Sequence, residues 1–86
     1  MNPIKVGNKV FIRTVTHYYT GQIVEVSDSE IVLDDAAWIA DTGRWGWALE
    51  HGTLSEIEPF CDPVAINRAS IVDMTIWRHA LPREVK

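Results

Sequence analysis

Hydrophobic positions in this chain fall into short β-branched runs separated by turn residues. Lys9-Val10-Phe11-Ile12-Arg13-Thr14-Val15 predicts a strand, because β-branched and aromatic side chains suit a pleated surface. Gly7-Asn8 before it marks a turn, and Thr16-His17 after it allows a tight reversal. A second strand then runs from Tyr18 through Gln22-Ile23-Val24-Glu25-Val26. Gly21 inside it marks a bulge or sharp bend. After the turn at Asp28-Ser29, Ile31-Val32-Leu33 opens a third strand that continues towards Trp38-Ile39. The first forty residues therefore predict a three-stranded meander.

The pattern then changes. Asp41 is a suitable N-cap and Gly52 a suitable C′ residue for a short helix through Arg44-Trp45-Gly46-Trp47-Ala48-Leu49. Gly43 and Gly46 each weaken such a helix by about 1 kcal/mol, so packing must hold it. Trp45 and Leu49 are four apart and share a face that can dock on the sheet, while Trp47 points elsewhere. Leu54-Ser55-Glu56-Ile57-Glu58 alternates as a half-exposed strand, and Pro59 and Pro63 then bend the chain. Val64-Ala65-Ile66 and Ser70 through Trp77 complete the sheet. Residues 79–86, with Pro82, form a polar tail expected to fray. The expected fold is mostly β: one domain over residues 1–86, a small five- to six-stranded barrel with one helical insert at about 41–52.

Composition changes this picture in one respect. In a chain of 86 residues only about 60–65% of the unfolded surface can be buried. A hydrophobic content of 47%, with four Trp, is more than so small a domain easily hides, which points to an oligomer. No apolar run approaches the roughly 20 residues of a membrane span, and the first residues lack a secretory apolar region. Cys61 is the one cysteine and can form no internal disulfide. A cytoplasmic setting is expected. Residues 25–62 hold ten acids against Arg44 alone, and the net charge is -4, so no general attraction to phosphate backbones is expected.

Two segments carry a family resemblance. Tyr19-Thr20-Gly21-Gln22-Ile23-Val24-Glu25-Val26-Ser27-Asp28, followed by Ile31-Val32-Leu33, resembles the first Sm motif. Val64-Ala65-Ile66-Asn67-Arg68-Ala69-Ser70-Ile71-Val72 resembles the second, and together they cover most of the chain outside 36–60. The chain is most similar to the short phage-type Sm-like proteins. That resemblance implies an SH3-type barrel, a homopentameric ring closed by edge-strand addition, and a phage-encoded or bacterial cytoplasmic protein. It also implies where RNA would stack, since Arg68 stands at the motif-two arginine. Three departures weaken that site: Ala69 replaces the expected glycine, the turn from Asp28 to Ile31 is shorter than the family's, and Glu30 falls where an asparagine is expected, a carboxylate that repels phosphate and cannot donate to a base.

Candidate sites follow. Tyr18, Tyr19 and Arg13, with Arg68, are the candidate RNA-binding residues, through base stacking with cation–π support; cross-strand packing is the alternative for the tyrosines. Trp45 and Trp47 diverge by roughly 200° on a helix, so one of them is expected at an interface, where Trp is enriched. Ile71, Val72 and Met74 on the last strand are further interface candidates. Asp34-Asp35 is the one paired carboxylate, but strand neighbours point to opposite faces and cannot share a metal without a bulge. His17, His51, His79 and Cys61 lack the close pairing of zinc ligands. No nucleophile constellation or phosphate loop is present, so no catalytic residue, cofactor or metal is expected. The expected function is a ring-forming, non-catalytic scaffold or adaptor, with a protein partner met through the Trp-bearing insert; RNA binding at a ring pore is the alternative.

Overall fold

The computed structural model describes residues 2–86; Met1 lies outside them. Six strands are formed among these residues: β1 (Lys9–Thr14), β2 (Tyr18–Val26), β3 (Glu30–Asp41), β4 (Glu56–Pro59), β5 (Val64–Asn67) and β6 (Ile71–Ile76). One helix, α1 (Trp45–His51), lies between β3 and β4, and a 3₁₀ turn (Arg68–Ser70) joins β5 to β6. All pairings are antiparallel, in one open sheet of order β4-β3-β2-β1-β6, with β5 paired to β3. The expected meander and the mostly β class are therefore present. No helix among the described residues is long and apolar enough to cross a membrane.

β3 is long enough to serve two partners. Glu30–Leu33 pairs with β5, and Ala37–Asp41 pairs with β4. Between these halves the strand changes face. Opposite β2, Thr20 pairs with Ala37 and Gln22 with Asp34, so Gly21 alone faces the two residues Asp35 and Ala36, one more than a regular ladder holds. Asp35 takes a left-handed φ of 52°, as befits a residue whose short polar side chain tolerates that region. The bulge inverts the inward parity: Ile31 and Leu33 enter one core, Ala37 and Ile39 the other. Gly21 is required there because a Cβ would stand 2.9 Å from the Leu33 Cβ. The bend read from Gly21 is thus observed, with its partner bulge on β3.

Two cores lie on opposite faces of the sheet. The first gathers Val10, Ile12, Ile23, Ile31, Leu33, Ala36 and Ile66, joined by Val64 of β5 and by Ile71 and Met74 of β6, so side chains from both ends of the sheet meet in it. The second gathers Phe11, Ala37, Ile39, Ala48, Leu54, Ile57 and Trp77, with Tyr18, Trp45 and Leu81 at its margin. Because β1 is covered on both faces, it reads as a continuous apolar run rather than an alternation.

The insert differs from expectation at its start. The helix begins at Trp45, and its N-cap, Arg44, makes no side-chain capping bond. Asp41 belongs to β3 instead, and its carboxylate accepts the Gly43 N–H at 2.7 Å. Its short reach is used on the turn that precedes the helix. The far end matches: Gly52 is left-handed, and its N–H donates to the Ala48 carbonyl. Trp45 docks on the second core, but Leu49 does not share that role; Ala48 is the residue the helix buries, since a small side chain lets the helix lie close to the sheet.

Residues 79–86, expected to fray, run back along the molecule. The Ile57 N–H donates to the Lys86 carbonyl at 2.9 Å, and the Lys86 N–H returns a bond to Ile57 at 3.0 Å. Leu81 packs on the second core, and Arg83 grips Asp35 through Nε at 2.9 and 3.0 Å. These contacts, long-range in sequence, leave no trace in local pattern.

Candidate functional site

The two segments carrying the motif resemblance meet in space. The Arg68 N–H donates to the Ser29 carbonyl at 2.9 Å, and its guanidinium Nη1 donates to the Ser27 carbonyl at 2.8 Å. Asn67 pairs with Glu30 across β5 and β3, and its side chain accepts the Ala69 N–H at 2.9 Å. Arg68 thus fastens the β2–β3 turn to the 3₁₀ turn. Its donors are partly spent on that carbonyl.

The other candidate RNA-binding residues do not form one surface. Tyr18 and Tyr19 are neighbours on β2 and therefore face opposite ways: Tyr18 packs on the second core and Tyr19 on the first. Arg13 pairs with Tyr18 in register and lies over the Trp45 ring at 5.3 Å. Its Nε donates to Asp73 Oδ1 at 2.8 Å, and a second guanidinium bond completes a fork on the same carboxylate. The Asp73 carboxylate holds the Arg13 pKa above its ordinary range, and the guanidinium in turn holds the Asp73 carboxyl below its own. Arg13 is committed to β6 and to Trp45. Tyr18 packs across the strands against Phe11, with ring centroids 6.0 Å apart, whereas the half-buried Tyr19 lies beside His17 and Phe60.

Among the interface candidates, Trp45 is partly buried beside Phe11, with ring centroids 4.8 Å apart. Trp47 is 55% exposed and stacks on His51 at 3.7 Å, so the two tryptophans do diverge. Ile71 and Met74 turn inward to the first core. Val72 is skipped in the β1–β6 register and stands 63% exposed.

The carboxylates and zinc candidates go separate ways. Asp34 accepts the Asp35 N–H at 2.9 Å, while Asp35 is held by Arg83, whose guanidinium lowers its pKa. His79 Nε2 donates to the Leu49 carbonyl at 2.8 Å, and His51 Nδ1 to the Trp47 carbonyl at 3.3 Å. Cys61 is exposed. No three His, Cys, Asp or Glu among the described residues are grouped as metal ligands would be.

Sequence reading missed one surface feature. Phe60, Tyr19, His17 and Trp38 form a contiguous aromatic strip, with successive centroids 6.1, 6.3 and 5.4 Å apart. It lies where the bulge at Asp35 has moved the first face of β3 beyond the aliphatic core. The period-2 pattern of β2 and β3 signals Tyr19 and Trp38 as possible partners only once their register is known.

Comparisons with protein-family models, curated proteins and solved structures find no match to this chain. The geometry of its edges and surface carries the functional reading.

Proposed function

We propose that this chain is a non-catalytic, self-assembling protein that closes a homo-oligomeric ring by strand addition, as the phage-type Sm-like proteins it resembles do. The observation that carries this reading is the unequal treatment of the sheet's edges. The β4 edge is covered by the chain's own Lys86. The outer sides of β5 and β6 have no strand partner among the described residues. Neither of those strands contains the lysine that commonly blunts a free edge, and β6 exposes Val72. Side chains of β5 and β6 share the first core, consistent with a sheet curled into an Sm-like barrel. Adding β6 of one copy to β5 of the next satisfies both rows of backbone groups and makes a heterologous contact, the kind from which rings are built when the rotation per copy divides the circle. A pentamer is the favoured closure, and Trp47 offers a further protein contact on the outside of the insert.

RNA reading at a ring pore ranks second. Arg68 and the β2–β3 turn are adjacent, as that reading needs, but the guanidinium is bonded to Ser27 and Glu30 lies beside it in the ladder. The test is Val72→Lys, which places a charge on the free edge without entering either core. Sedimentation should show a shift from a discrete oligomer to monomer with the melting temperature of the isolated fold retained. An unchanged oligomer rejects β6 as the assembling edge. Salt-sensitive binding of oligo-U that Arg68→Ala abolishes would promote the RNA reading instead.

A further inference from the structure

The aromatic strip lies outside the edges invoked for assembly. Tyr19, Trp38 and Glu58 are directly opposite one another on β2, β3 and β4, so their side chains emerge on one face. Trp38 is 37% exposed and Phe60 41%. Tyr19 between them is half-buried, and contiguous exposed apolar surface of this kind is where interaction sites are found. At the His17 and Trp38 end the strip runs into a groove of about 330 Å³, lined also by Val15 and Ala40. At its β4 side it is bordered by Glu58 and Glu56, both exposed, and Glu56 pairs with Asp41. No lysine or arginine lies on the β2, β3 or β4 segments that build it.

We propose that this strip is a docking surface for an arginine-bearing extended segment of a partner protein. The electron-rich faces of Trp38, Tyr19 and Phe60 attract a guanidinium plane, which stacks on rings better than an ammonium does. Glu58 and Glu56 supply the opposite charge that a polynucleotide or an acidic peptide would lack any reason to approach. From β2 to β4 the strip spans about 10 Å, which is close to three residues of extended chain. Two arginines at alternate positions therefore reach the tryptophan and the glutamates together. The surface sits on the C-terminal half of β3, whereas β5 pairs with the N-terminal half, so docking is independent of ring closure.

The test is a ¹H–¹⁵N NMR titration of the full chain with a capped peptide alternating arginine and glycine, beside the same peptide with glutamine for arginine, and oligo-U. The arginine peptide should give saturable, salt-weakened shifts at the Trp38 indole and at Glu58, and the glutamine peptide none. Trp38→Ala and Glu58→Gln should each weaken binding about five- to tenfold. Both side chains are outside the cores, and Glu58→Gln keeps the shape of the surface if Trp38→Ala proves unstable. Absent shifts, shifts confined elsewhere, or affinity unmoved by Glu58→Gln would overturn the proposal. So would oligo-U saturating the same residues, or a fall in native mass on Trp38→Ala, which would make the strip a contact between copies.

Discussion

One face of the sheet is filled by Val10, Ile12, Ile23, Ile31, Leu33 and Ile66, all supplied by strands; the other is filled by Phe11, Trp77, Ile39, Leu54 and Ile57 and roofed by the insert and the tail. The aliphatic side needs only strand pairing to assemble. The aromatic side needs several long-range events: Ala48 seated on the sheet, Gly52 in its left-handed turn beside His79, and Leu81 brought back from the C-terminal segment. Gly52 has no room for a side chain, since a Cβ would lie 2.5 Å from the His79 ring. The teaching of the difference is that β1 joins both sides through alternate residues, so each core depends on the same strand. A single cooperative transition is expected.

The strongest way to break that comparison is Trp77→Ala. It removes the largest fully buried side chain and should cost about 3–5 kcal/mol. If the faces are coupled through β1, near-ultraviolet and far-ultraviolet dichroism will lose signal at one lowered temperature. Separate transitions, with the strand signal persisting, would show that the aromatic side is an independent layer.

A smaller effect with the opposite sign sharpens the account of the aromatic side. The Thr20 hydroxyl is fully buried, opposite Phe11 and Ala37, and has no hydrogen-bond partner among the described residues. Thr20→Val replaces it with a methyl group of similar shape. Denaturant unfolding should show a gain of about 1 kcal/mol. A loss would mean that the hydroxyl is satisfied in solution.

The smallest effect is electrostatic. Asp35 and Asp73 are both held below the usual carboxylate range by their arginines. Depressed folded-state values mean that the two pairs stabilise the fold above the unfolded carboxylate pKa of about 3.9 and lose that contribution as pH falls through the lower folded values. Both pairs are solvent-exposed, so the change should be modest and reduced by salt. Asp35→Asn should flatten the fall in melting temperature below about pH 4. An acid profile identical to the unmodified chain would show that the Arg83 pair contributes nothing.

Legibility in the sequence followed the same division. Runs such as Val10-Phe11-Ile12 and Ile31-Val32-Leu33 announced the strands, and Gly21 announced the bend, because local sterics and period suffice for both. The inversion of β3 at Asp35 was hidden, since an aspartate in an apolar run does not declare a left-handed φ. The pairing of both β4 and β5 with β3 was also hidden, as was the return of residues 79–86. The separation of Tyr18 from Tyr19 and the engagement of Arg13 by Asp73 dissolved one candidate surface. The cross-strand register created another at Tyr19, Trp38 and Phe60, which no local spacing displays.

The reading of this molecule as an assembling one rests on two open edges beside one that the chain covers itself. Its most direct test is the native mass of the unmodified protein by light scattering over a micromolar concentration series. A discrete species near 50 kDa, about five copies of the 9.8 kDa chain, is the expected result. A monomer that persists throughout the series would contradict it.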